Sequence, residues 1–182
     1  MMKHKPISRR DFLKNIGIAG TGVLLATSPW LSAFSEVTHT SNEKCRLGII
    51  GPGSRGRFLM SFLVQNPKVD IVALCDIYQP SIDEGLKLAP KAKVYGDYRK
   101  LLEDKNIDAV LVATPLSSHC QIVMDAFDAG KHVFCEKTIG FTMEECFRMY
   151  NKHISTGKIF FSGQQRLFDP RYIKTMEMIH AG

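Results

Sequence analysis

The chain has 182 residues, enough for one substantial domain and too few for two large ones. A hydrophobic share of 45% and a charged share of 23% are those of a soluble globular protein. The net charge of +6 is mostly a leader effect: residues 1–35 hold Lys3, Lys5, Arg9, Arg10 and Lys14 against Asp11, and the 19 basic and 17 acidic residues beyond them form no stripe suited to a phosphate backbone, so nucleic acid is not an expected partner.

The leader contains Ser8-Arg9-Arg10-Asp11-Phe12-Leu13-Lys14, which resembles a twin-arginine export signal. A moderately apolar, glycine-containing run follows from Ile16, and small residues near Ala33 and Ser35 suit a signal peptidase. Residues 1–35 are therefore expected to be a signal peptide, residues 36–44 a polar linker, and the product periplasmic or otherwise exported. The alternative is an uncleaved anchor, but Pro29, the glycines and the Thr and Ser residues make a poor spanning helix, so no stable membrane insertion is expected. That export route carries folded proteins, so a nucleotide bound in the cytoplasm can travel in its pocket.

From Cys45 onward, apolar runs alternate with helical patterns. Strands are expected at CRLGII, DIVALC, KVY, DAVLVAT, HVFC and KIFFSG, with helices beginning near Ser54, Pro80, Tyr98, Ser117 and Thr142. In the last of these, Met143, Cys146, Phe147 and Tyr150 recur at helical spacing and are expected to face a sheet. Gly130 and Gly157 are placed as helix C-caps. Short apolar strands separated by helices imply right-handed crossovers and a parallel sheet covered on both faces. The expected fold is a doubly wound α/β (Rossmann) domain over residues 45–165. In residues 166–182, Tyr172, Ile173, Met176 and Ile179 make an apolar stripe that either folds back or stays exposed.

The first strand runs into Gly51-x-Gly53-x-x-Gly56. A bare glycine pattern of this kind is a weak signal, but here a strand precedes it, a helix follows, and Asp76 lies 20 residues beyond Gly56 at the end of the second strand. Gly51 permits the tight turn, Gly53 lets the backbone approach a diphosphate, and Gly56 lets helix and strand pack closely. Ser54 and Arg55, inside the turn, are cofactor-binding candidates with them, since a helix N-terminus offers unpaired N–H groups and partial positive charge. Asp76 can accept from the adenosine ribose hydroxyls and would repel a 2′-phosphate. Ile77 and Tyr78 supply no compensating arginine, so NAD is favoured over NADP. The five cysteines show no metal-ligand spacing, and Cys75 and Cys135 read as buried small hydrophobes.

Three further stretches accompany the turn: ATPLSSH (Ala113 to His119), GKHVFCEKT (Gly130 to Thr138) and GQQRLFDPRY (Gly163 to Tyr172). With the glycine turn and Asp76 they resemble the glucose–fructose oxidoreductase / inositol dehydrogenase (Gfo/Idh/MocA) family, over essentially all of residues 45–182. The resemblance implies an NAD(P)-dependent oxidoreductase acting on a CH–OH group of a sugar or polyol, with a homo-oligomer left open. It places Thr114, Pro115 and His119 along the ribose and nicotinamide side of the cofactor, Glu136 and Lys137 in the family's Glu-Lys-Pro motif, and Gln165 and Arg166 under the nicotinamide. Lys137 is the implied catalytic residue. Its ammonium would stabilise a developing alkoxide and relay the proton, while Glu136 would orient either the lysine or the ribose. The chain departs from the motif at Thr138, where the family has proline, which puts in question how firmly Lys137 is held. It also ends where the family's second, substrate-binding domain would begin, so turnover by this chain alone is not expected.

Three functions are therefore weighed. The leading one is the cofactor-binding portion of an exported NAD-dependent sugar or polyol oxidoreductase. The second is part of a glycosidase that uses NAD as a resident catalyst through transient oxidation, and the third is a non-catalytic NAD-binding fragment.

Overall fold

The computed structural model describes residues 44–164 and 169–181. The export-signal reading, and the readings at Gln165 and Arg166, lie outside these residues. Six parallel strands form one sheet: β1 (Cys45–Ile50), β2 (Val69–Cys75), β3 (Lys93–Tyr95), β4 (Ala109–Val112), β5 (His132–Cys135) and β6 (Phe160–Ser162), in the order β3-β2-β1-β4-β5-β6. Among the described residues six helices connect or follow them: α1 (Ser54–Leu63), α2 (Gln79–Leu88), α3 (Tyr98–Leu102), α4 (His119–Asp128), α5 (Met143–Thr156) and α6 (Pro170–Ala181). A 3₁₀ turn, Leu116–Ser118, leads into α4.

The central strands are apolar on both faces because both faces are covered. Leu47, Ile49, Leu74 and Leu111 pack against Met60 of α1 and Ile82 of α2. Ile50, Val110, Val112, Val133 and Cys135 pack on the other side against Leu101 of α3, Val123 and Phe127 of α4, and Met149 of α5. Burial pushes the Cys75 and Cys135 thiols up to about 12, as suits inert core cysteines rather than nucleophiles.

Helix ends follow their local chemistry. Thr142 and Glu145 form a reciprocal capping box at the start of α5, and Gly157 closes it in the left-handed conformation at φ 64°. After α4, Gly130 (φ 73°) is followed by Lys131, whose N–H donates back to Ala126 O at 2.9 Å, the pattern of a glycine-terminated helix.

One face was misassigned by the helical spacing. Met143, Phe147 and Tyr150 are exposed (70%, 60% and 58%), whereas Met149 is fully buried and Cys146 is half-buried. Gly140 lies against Cys146 Sγ and Met149 Cε, and Met149 joins the core cluster, so the core receives the Cys146–Met149 side. The stripe on α6 is exposed as well: Tyr172, Ile173, Met176 and Ile179 are each more than two-fifths accessible.

At the amino end of the sheet, Arg46 binds Asp108 through Nε (3.0 Å) and Nη2 (2.6 Å), tying β1 to the entry of β4. The guanidinium hydrogen bond holds the Asp108 carboxyl below its ordinary value, against a smaller opposing effect of burial. A carboxyl depressed on folding contributes stability above its unfolded value, about pH 4, that is lost as pH falls through the folded one. Asp108→Asn is therefore expected to flatten the acid limb of a urea-midpoint profile below about pH 4; an unchanged limb would show that the pair contributes nothing.

Candidate functional site

The carboxyl ends of the strands are tied in series. Gly51 N donates to Cys75 O (2.8 Å), Ala113 N to Ile50 O (2.9 Å), Glu136 N to Val112 O (2.9 Å) and Gly163 N to Cys135 O (2.8 Å). Each loop is thus anchored to its neighbour at the moment it leaves the sheet. The order places β1 between β2 and β4, so the crossovers diverge there and open a crevice of the kind in which doubly wound sheets bind ligands.

The three glycines of the first turn have three different reasons to be glycine. Gly51 has φ 89°, and a Cβ there would come within 2.8–2.9 Å of the Ala113 and Thr114 backbone. A Cβ on Gly56 would run into the Gly51 carbonyl. Gly53 has an ordinary φ of −66° and nothing within 4 Å of its Cβ direction, so neither strain nor packing demands glycine there. It is also the N-cap of α1 and offers no side-chain acceptor. The N–H groups of the first helical turn (Ser54, Arg55 and Gly56) therefore receive no side-chain cap from it. A dinucleotide's diphosphate fits this arrangement: donors without a side-chain cap, partial positive charge and a position kept bare of side chain.

Asp76 follows β2 beside the turn. Its Oδ1 accepts the Tyr78 N–H at 3.0 Å, which orients the carboxylate and leaves the other oxygen for a ligand hydroxyl. Thr114 and Pro115 follow β4, with Ser118 Oγ donating to Thr114 Oγ1 at 2.8 Å. His119 is 2% exposed; its Nε2 lies 2.9 Å from Thr114 O and its Nδ1 2.9 Å from Thr138 O. Both ring nitrogens thus meet backbone carbonyls, and the ring joins the turn after β4 to the turn after β5. A neutral ring donates to one of these carbonyls, so His119→Phe would leave that carbonyl without its donor and is expected to cost about 1–3 kcal/mol. Urea unfolding checks this, and a loss under about 1 kcal/mol would contradict it.

Glu136 and Lys137 follow β5. Continuing the strand's alternation, Glu136 shares the face of Phe134, the face covered by α1. Its Oε1 accepts from Arg55 Nε at 2.8 Å and stands in an ion pair 2.8 Å from Arg55 Nη2, and its Oε2 accepts the Lys137 backbone N–H at 3.0 Å. Glu136 therefore orients the lysine's backbone rather than its ammonium. The Lys137 side chain is exposed and forms no ion pair among the described residues. The Lys137–Thr138 peptide is cis.

The Arg55–Glu136 pair was not foreseen, and only the joint presence of the two residues in the motifs hinted at it. Elsewhere, a hollow of about 520 Å³ lined by Arg99, Leu102, Lys105, Asp125 and Lys131 lies at the amino ends of the strands, away from the crevice. Among the described residues no cluster has the makings of a metal site, and no helix is long and apolar enough to cross a membrane.

Comparison with known proteins agrees with this geometry. Residues 45–164 match the family model GFO_IDH_MocA, described as an oxidoreductase family with an NAD-binding Rossmann fold. A glycosyl hydrolase family 109 protein of Stenotrophomonas maltophilia is 29% identical over 188 residues, covering 97% of this chain and 39% of that protein. Myo-inositol 2-dehydrogenase of Thermotoga maritima is 31% identical over 137 residues, covering 75% of this chain and 41% of the relative. Among solved structures, myo-inositol dehydrogenase of Lactobacillus casei in complex with NAD(H) and myo-inositol superposes with a TM-score of 0.71 at 30% identity, covering 76% of this chain and 42% of that one. The chain thus spans about two-fifths of the length of these relatives. It belongs to the Gfo/Idh/MocA oxidoreductase family, of which residues 45–164 form the NAD-binding Rossmann domain.

Proposed function

We propose that this chain is the NAD-holding portion of an exported oxidoreductase that acts on a CH–OH group of a sugar or polyol. The observation that carries the reading is the uncapped start of α1, opening at Gly53 onto bare space beside the turns that bear Thr114 and Lys137. The backbone of Ser54, Arg55 and Gly56 would hold the diphosphate, Asp76 the adenosine ribose, and Thr114 and Pro115 the nicotinamide side. His119 serves that side from behind, through the two carbonyls it meets. Gln165 is assigned to the nicotinamide by family position alone.

When bound, the nicotinamide supplies the hydride acceptor. Lys137, which makes no ion pair among the described residues, then stands at the crevice, where its Nζ would stabilise negative charge on the substrate oxygen as the ammonium and would take up the hydroxyl proton as the neutral amine. Export through the twin-arginine route rests on Ser8 to Lys14, and it suits a protein that must carry its nucleotide with it.

Titrating the protein with NADH, NAD and NADP by fluorescence and calorimetry tests the reading. Saturable binding of NADH with NADP much weaker is expected; no saturable binding overturns it. A second reading, an NAD-dependent glycosidase, is favoured by the Stenotrophomonas relative, whose match runs over nearly the whole chain. Incubation with NAD, polyols and aryl glycosides separates the possibilities. NADH accumulation marks a dehydrogenase, glycoside cleavage without it a hydrolase, and binding with neither a non-catalytic domain.

A further inference from the structure

Arg55 is the second residue of α1, so it adds a positive charge to a helix end that already carries a partial one. Its guanidinium is not turned toward the open side of the glycine turn. Both Nε and Nη2 bind Glu136 Oε1, and the Phe58 ring, on the same helix, lies 5.0 Å from the guanidinium carbon. The Glu136 side chain is only 6% exposed against 34% for Arg55. The turn after β6 closes over it: a Cβ on Gly163 would stand 3.1 Å from the carboxylate carbon. The second oxygen holds the Lys137 amide. Three segments therefore converge on one buried carboxylate, which sits within one arginine's reach of the donors at the start of α1.

Such a carboxylate, left unpaired, would face an incoming diphosphate across poorly screened surroundings. We propose that Arg55 acts toward the dinucleotide as the counter-charge of Glu136 and not as a phosphate ligand, and that the pair is a positioning clamp joining the glycine turn to the turn that carries Lys137. This rests on the reading of the glycine turn as an NAD site. The clamp makes occupancy of the first turn and the geometry of the second interdependent, and the coupling is reciprocal.

The double variant discriminates. Arg55→Met strands the buried charge and is expected to weaken NADH binding by about 30-fold or more, whereas Glu136→Gln, which removes the repelling charge, stays within about threefold of wild type. Arg55→Met combined with Glu136→Gln leaves no charge to compensate and is expected to return to within about fivefold. If Arg55 were a phosphate ligand, the double variant would bind as weakly as Arg55→Met, and that result overturns the proposal. Equal affinity in all four proteins also overturns it, by reducing the pair to packing. Should Arg55→Met not fold, a large loss in the double variant refutes the proposal, and near-wild-type affinity supports it only together with quickened amide exchange at Lys137 in Arg55→Lys.

Amide exchange at Lys137, measured without nucleotide, is an independent readout. It is expected to quicken about tenfold or more in Arg55→Met, or in Arg55→Lys if the former does not fold, and unchanged exchange refutes the clamp. If the wild-type protein takes up no NADH, the cofactor reading fails, while the exchange measurement still decides the clamp.

Discussion

Gly53→Asp is expected to raise the stability of the protein by a few tenths of a kcal/mol while weakening NADH binding by about 100-fold or more, about 2.8 kcal/mol. The backbone at Gly53 already has an extended N-cap conformation that any residue adopts, and its Cβ direction is empty. An aspartate there accepts from the first-turn N–H groups and complements the helix dipole, so folding gains. Those same donors are then taken from a diphosphate, and a negative charge stands in its place. Gly51→Val makes the contrast. Its φ of 89° and the backbone atoms at 2.8–2.9 Å leave a side chain nowhere to go, so a loss on the order of 3 kcal/mol or more is expected. That is a large part of a typical domain's stability. Chemical denaturation and NADH titration of both variants check the pair of results. If Gly53→Asp bound NADH like wild type, the glycine turn would not be the diphosphate site.

The second large effect concerns Asp76. With Oδ1 occupied by the Tyr78 N–H, the carboxylate presents its other oxygen in a fixed direction, and no basic residue adjoins it in Ile77 or Tyr78. A 2′-phosphate placed there would meet an unshielded negative charge, so wild type is expected to prefer NADH over NADPH by about 100-fold or more. Asp76→Ser with Ile77→Arg replaces repulsion by attraction. Ile77 is 96% exposed, so the arginine disturbs no packing. The combined variant is expected to bind NADPH at least about tenfold better than NADH. Parallel titrations with both nucleotides measure this. A preference left unmoved would take Asp76 out of the ribose site.

The sequence spoke most clearly where local chemistry decides. β1 runs over the six residues CRLGII because an apolar run ends at a glycine that must turn. Gly157 and the Thr142–Glu145 box mark the ends of α5 by their own side-chain and backbone chemistry. The run DAVLVAT was longer than the ladder it forms, Ala109–Val112, because Ala113 and Thr114 leave the sheet to pack on Gly51. On α5, periodicity alone could not choose between two apolar sides. That choice was made by Gly140, outside the helix, through its contact with Cys146 and Met149. The candidate site divides in the same way. The glycines and Asp76 are legible because their spacing is itself the signal. The partners of His119 are backbone carbonyls, which no residue type announces, and Arg55 meets Glu136 across 81 positions of chain.

That separation has a consequence for the growing polypeptide. At ordinary synthesis rates of about 5–20 residues per second, 81 positions correspond to about 4–16 s between the making of Arg55 and that of Glu136. Through that interval the glycine turn exists on the nascent chain while the turn after β5 does not. The loops at the carboxyl edge must wait for β4 and β5 to join the sheet before the carbonyls that anchor them are in place. A nucleotide in the cell therefore meets a finished pocket only after most of the domain has been translated, and its capture is a late event in the life of the new chain.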